Sequence, residues 1–139
     1  MKIEPLFFSG GYKYQVRKYP CSVQTNICPE TPIITHRYSI GTCGLITANP
    51  GYAWDGATKW FEFRSIRRGS LFHDIVCQAI KAGLLDPKWG EPGDDLLYAI
   101  CIFDRMFVFH ARAVRKAVKT WRKMSGTVLQ DDHPIRRIG

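Results

Sequence analysis

A chain of 139 residues, 45% hydrophobic and 23% charged, has the composition of a globular protein, which excludes a disordered or fibrous class. Its length suits one domain able to bury a core without staples. The net charge of +8 fits an anionic partner such as nucleic acid, phosphate or lipid headgroup, and equally fits plain solubility. No helix-turn-helix, zinc-finger or aromatic RNA-binding signature accompanies that charge.

No apolar run at the start has the length of a secretory signal, and no later stretch reaches the ~20 residues of a membrane span. The expected location is cytoplasmic. The cysteines Cys21, Cys28, Cys43, Cys77 and Cys101 are odd in number and lack the close pairs of a zinc ribbon, so thiols are expected rather than disulfides.

Residues 1–58 read mainly as strands and loops. Tyr12 to Arg17 alternates aromatic or apolar with polar residues, as a half-buried strand does. Residues 19–32, holding Pro20, Pro29 and Pro32, read as a long irregular connection. Further strands are expected around Ile33 to Ile40 and Gly44 to Thr47. Asn49-Pro50-Gly51 is a turn signal, because Pro presets one dihedral and Gly accepts the positive φ that follows. It leads through Tyr52-Ala53-Trp54 to Asp55-Gly56, which reads either as an ordinary turn or as a place of close backbone approach.

Lys59 to Arg68 mixes aromatics with charges and receives no assignment. From residue 70 to 124 the pattern is helical. Ser70 is the expected N-cap, Asp74 stands near the helix start, Gly83 marks the stop, and Phe72, Val76, Ala79 and Ile80 form the core face. A connection over Leu84 to Pro92 precedes a second helix opened by Gly93-Asp94-Asp95. Leu96 to Phe109 reads as a buried central helix interrupted by Asp104-Arg105.

From His110 to Met124 apolar Val114, Val118 and Trp121 recur at helical spacing among Arg112, Arg115, Lys116, Lys119, Arg122 and Lys123. That stripe contains no acid. It suits an anionic polymer or a solvated face with snorkelling stems. Residues 125–139 read as a loose tail whose polar cluster is Asp131-Asp132-His133-Pro134.

The candidate chemistry centres on His73-Asp74. A carboxylate bonded to one imidazole nitrogen fixes the tautomer and leaves the other nitrogen to take a proton from water. Asp94 or Asp95 begins the facing helix, and Asp95 is the expected partner of His73, which requires the connection to bring the second helix start back near His73. Neighbours on a helix diverge by about 100°. Asp74 therefore suits a cation beside the imidazole, with Asp55 supplying further oxygen, as calcium or magnesium requires. Two other readings stand beside this one: a zinc site of His73, Cys77, Cys101 and Asp94, and a buried His-Asp network that only ties helices together.

Pro50-Gly51-Tyr52-Ala53-Trp54-Asp55-Gly56-Ala57-Thr58, Leu71-Phe72-His73-Asp74, Asp95-Leu96-Leu97-Tyr98, Arg112-Ala113 and Ala117-Val118-Lys119 resemble, in order and spacing, a family of small phage and prophage proteins described as a domain of unknown function. The likeness covers about residues 44–122 and implies a phage origin without an activity. The His-Asp pair and later helical Asp are also similar to calcium-dependent secreted phospholipases. That resemblance implies that His73 activates water, Asp74 binds calcium and Asp95 orients His73.

The combined expectation is an α+β domain with an N-terminal antiparallel sheet and three C-terminal helices. Its expected function is that of a phage accessory protein, in the infected host or the virion, acting as a metal-assisted ester or phosphoester hydrolase. The alternative from another class is a non-catalytic protein whose basic surface meets a host factor, nucleic acid, or capsid or tail partner.

Overall fold

The computed structural model describes residues 1–10, 13–55 and 64–138, with side chains as far as Lys123. The fold is α+β: antiparallel strands come first and three helices follow. Strands β1 (Phe8–Ser9), β2 (Tyr14–Val16) and β7 (Ala53–Trp54) form one sheet in the order β1-β2-β7. Strands β3 (Cys21–Gln24), β4 (Ile33–Ile34), β5 (Tyr38–Ile40) and β6 (Leu45–Ala48) form the other, ordered β3-β6-β5-β4.

Two strand expectations are corrected. The stretch read as irregular contains β3, because Cys21 and Val23 alternate inward and the strand pairs along its whole length with β6. The single strand expected over Ile33 to Ile40 is a hairpin, β4 and β5, whose turn is closed by the Thr35 amide and hydroxyl donating to the Tyr38 carbonyl at 2.9 and 2.8 Å. The Asn49-Pro50-Gly51 turn forms as expected, with Gly51 at φ 95° and the Tyr52 amide donating to the Asn49 carbonyl at 3.0 Å. It sends Tyr52 and Trp54, both buried, against the helices.

Helix α1 (Arg67–Lys81) starts before the expected Ser70 cap. A 3-10 turn over Arg64–Ile66 feeds directly into it, so Ser70 lies inside the helix. There its hydroxyl donates to the Arg67 carbonyl at 2.8 Å and accepts from the buried Trp54 indole N–H at 3.1 Å. The buried indole thus gains the partner it needs. Gly83, at φ 77°, ends the helix in a Schellman turn: its own amide donates to the Ile80 carbonyl and that of Leu84 to Ala79.

Helix α2 (Gly90–Phe103) also starts early, so Gly90 and Pro92 belong to its first turn rather than to the connection. Pro is tolerated there because first-turn amides have no helical partner. The central helix does not run to Phe109. Arg105 takes φ 69°, the Met106 amide reaches the Cys101 carbonyl and the Arg105 amide reaches Ile102, so the same Schellman geometry ends α2 without a glycine. Asp104 is held at that corner by an ion pair with Arg68 of α1.

Helix α3 (Val108–Ile138) takes in the residues expected as a tail. A single internal glycine such as Gly126 costs a running helix only about 1 kcal/mol, which explains why Ser125-Gly126 does not stop it. The Asp131-Asp132-His133 cluster lies outside the described side chains.

Helix α1 packs against β6 and β7 on one side and against α2 on the other, and α3 packs on α2. Val16, Ile46, Trp54, Phe72, Ile75 and Val76 are central to the sheet-helix core. Leu97, Cys101, Met106, Ala111, Val114 and Val118 form the second cluster, between α2 and α3. Gly69 faces Leu97 and Gly93 faces Val76, where an added Cβ would stand 2.9 and 2.8 Å from the neighbouring side chain. Those glycines let α1 and α2 approach closely as antiparallel neighbours. Among the described residues no helix is long and apolar enough to cross a membrane.

Candidate functional site

His73 and an aspartate of α2 do meet, but the aspartate is Asp94, not Asp95. His73 Nε2 lies 2.8 Å from Asp94 Oδ1. The antiparallel arrangement is no obstacle, because α1 begins at Arg67 and places His73 two turns inward, opposite the second turn of α2. One residue on, about 100° around the helix, Asp95 is exposed and faces Arg115 and Lys119, each at 3.6 Å. Asp95 therefore does not orient His73.

The second oxygen of Asp94 is held from α3. Arg122 Nε and a terminal guanidinium nitrogen both donate to Asp94 Oδ2, at 3.0 and 2.8 Å. Gly90 makes the approach feasible, since a Cβ there would stand 2.8 Å from that guanidinium. Asp94 is fully buried, so its charge persists only because a donor sits on each oxygen. Burial alone would raise its pKa, but the hydrogen bonds from His73 and Arg122 hold it below the ordinary carboxylate value.

The imidazole responds in the opposite sense. Burial works against its charge, yet the hydrogen bond to Asp94, the contact with Cys77 and the charges of those groups prevail and raise its pKa to about 10. The upward shift favours the imidazolium, whose Nε2–H then donates to Asp94 Oδ1. Cys77 Sγ lies 3.8 Å from Nε2 and 3.9 Å from Nδ1, beside the ring rather than in line with one nitrogen.

Asp74 belongs to a separate arrangement. Tyr52 donates its hydroxyl to Asp74 Oδ2 at 2.5 Å, and Gln78 donates to the same oxygen at 3.1 Å. Burial raises the Asp74 pKa against the lowering effects of Tyr52 and the charged His73. The charge of Asp55 raises it further. Asp55 itself is exposed and stands 3.7 Å from Lys13. Gly56, Ala57 and Thr58, the rest of that turn, lie outside the described residues.

The donors expected for a cation are thus engaged with protein groups. Among the described residues no group of three or more His, Cys, Asp or Glu side chains is gathered as a metal ion requires. The zinc combination of His73, Cys77, Cys101 and Asp94 does not gather as such a group among the described residues either.

Arg122 and Tyr52 were not expected at this site. The signal for Arg122 was the recurrence of cations at 115, 119 and 122 opposite acids at 91, 94 and 95, the two helix faces that close on each other. Tyr52 carried no signal beyond following the turn. Its replacement tests that second arrangement. Tyr52→Phe leaves the half-buried Asp74 oxygen with Gln78 alone and is expected to cost about 1 kcal/mol in a urea melt. An unchanged midpoint would show that the Tyr52–Asp74 bond contributes nothing.

Comparison with protein-family models, with curated proteins and with solved structures finds no match to this chain.

Proposed function

We propose that this is a non-catalytic binding protein of phage type that meets an anionic partner through its positively charged exterior. The observation that carries this reading is the geometry around His73: its Nε2 is 2.8 Å from Asp94 Oδ1, and Arg122 holds the other oxygen of that buried carboxylate. A general base needs an imidazole that is neutral near working pH. This ring is held charged up to a pKa of about 10 by Asp94 and Cys77, with burial opposing. His73–Asp94–Arg122 joins three helices and acts as an ionic lock, a role that the His-Asp motif alone would not reveal.

The net charge of +8 then remains for binding, although less of it on α3 than the sequence suggests. Arg115 stacks on Tyr98 and pairs with Asp95, Lys119 bridges Glu91 and Asp95, and Arg122 serves Asp94. Those cations staple α3 to α2. Arg112 and Lys116 are exposed and better suited to a partner.

A second reading, metal-assisted hydrolysis of an ester or phosphoester with calcium or magnesium, is favoured by one observation. The His73 side chain keeps 14% of its surface, and its Nδ1 is not the nitrogen that Asp94 engages. One experiment separates the two. The purified protein is assayed with nitrophenyl esters and phosphoesters, with EDTA or with added calcium or magnesium, and is run on a heparin column over a salt gradient. The expected result is no turnover above buffer and salt-dependent retention that shifts to lower salt in an Arg112→Glu, Lys116→Glu variant. Cation-dependent turnover lost in His73→Gln would establish the second reading instead.

A further inference from the structure

We infer that the corner between α2 and α3 is a docking site for an anionic lipid surface, with Phe107 and Phe109 entering the interface. The inference deepens the binding reading above and rests on it, naming the class of partner.

The corner exposes apolar surface, although Phe107 and Phe109 each touch the His110 ring and Arg68 lies over Phe103. Phe107 and Phe109 are each 76% exposed, and Phe103 and Val108 beside them are about half exposed. Apolar residues scattered singly need no explanation, but adjacent large ones on a short segment mark a contact surface. The fold maintains this exposure actively. The Schellman turn at Arg105 buries Met106 and Ala111 against the α2–α3 cluster, and the residues between them, 107–109, are thereby turned outward.

The exposed charges next to them in the chain are positive. Arg105 and Arg112 are exposed, Arg112 lying three residues after Phe109 and four after Val108 on the same flank of the helix. The neighbouring acid, Asp104, is occupied by Arg68, and the first turn of α3 contains no acid. The amides of that turn add the positive end of the helix dipole. Exposed apolar side chains flanked in the chain by two exposed arginines fit the headgroup and upper acyl region of an anionic bilayer.

Two other occupants fit less well. A second copy joined across a two-fold axis would bring two surfaces carrying the same exposed arginines together. A single nucleic-acid strand calls for an aromatic platform within a groove that follows the backbone, whereas these rings project from a turn between helices.

The test is co-sedimentation of the intact protein with vesicles of phosphatidylglycerol and phosphatidylcholine, set against vesicles of phosphatidylcholine alone. The expected result is binding to the mixed vesicles only, weakened about tenfold or more in Phe107→Ser, Phe109→Ser and also in Arg105→Ala, Arg112→Ala, with melting temperatures unchanged. An excess of inorganic phosphate should not displace the protein. Heparin retention without vesicle binding would overturn the lipid assignment and leave the binding reading standing, while loss of both would overturn both. Equal vesicle binding by the Phe variant, oligonucleotide binding lost in that variant, or a dimer abolished by it would also overturn the lipid assignment.

Discussion

Replacing Asp94 with Asn is expected to be among the most damaging single changes in this protein. It would leave the His73 imidazolium and the Arg122 guanidinium without the buried carboxylate that both address. Removing one member of a buried ion pair costs about 3–5 kcal/mol, because the remaining charge is uncompensated. For a domain of this length that corresponds to a fall in melting temperature on the order of 10 °C. His73→Gln keeps a donor for Asp94 and leaves Arg122 in place, so its expected loss is the smaller of the two. Urea denaturation of the two variants measures the difference. If Asp94→Asn were no worse than His73→Gln, Asp94 would not be the centre of the network.

The second large effect is alkaline destabilisation. His73 has a pKa raised from 6.5 to about 10, burial opposing and the hydrogen bond to Asp94 with the Cys77 contact prevailing. A folded-state pKa above the unfolded one means that the folded protein holds the proton more tightly. The stability this confers is complete below pH 6.5 and is lost as pH rises towards 10. Across that window the unfolding free energy should fall by roughly 3–5 kcal/mol. The wild-type protein measured by urea melts at intervals of pH should show this decline, and His73→Gln should flatten it. A wild-type curve level from pH 7 to about 10 would contradict the assignment of the proton to His73.

The sequence carried the local devices well. Asn49-Pro50-Gly51 and Gly83 announce their turns because positive φ selects glycine, and Phe72, Val76 and Ala79 announce a buried face by their spacing. The end of α2 was not legible for the same reason reversed. Arg105 occupies the left-handed region that residue type reserves for glycine, and tertiary burial of Met106 imposes it.

At the candidate site, the approach of His73 to an α2 carboxylate was legible, and the choice between Asp94 and Asp95 was not. Adjacent positions differ by about 100° of helix phase, and the phase depends on where α2 begins. Its start at Gly90 rather than Gly93 turns Asp94 inward and Asp95 toward Arg115 and Lys119. The contribution of Arg122 is a long-range pairing that periodicity cannot express. The stripe read as a surface available for binding is partly consumed by it, since the acids that complete it lie on another helix.

The account rests on His73 being a charged lock rather than a base, and NMR titration of its imidazole carbon and nitrogen shifts tests this most directly. The lock predicts both ring nitrogens protonated at neutral pH, with titration only towards about 10. Titration between pH 6 and about 7, leaving a neutral ring with Nδ1 unprotonated, would contradict it and return His73 to the role of general base.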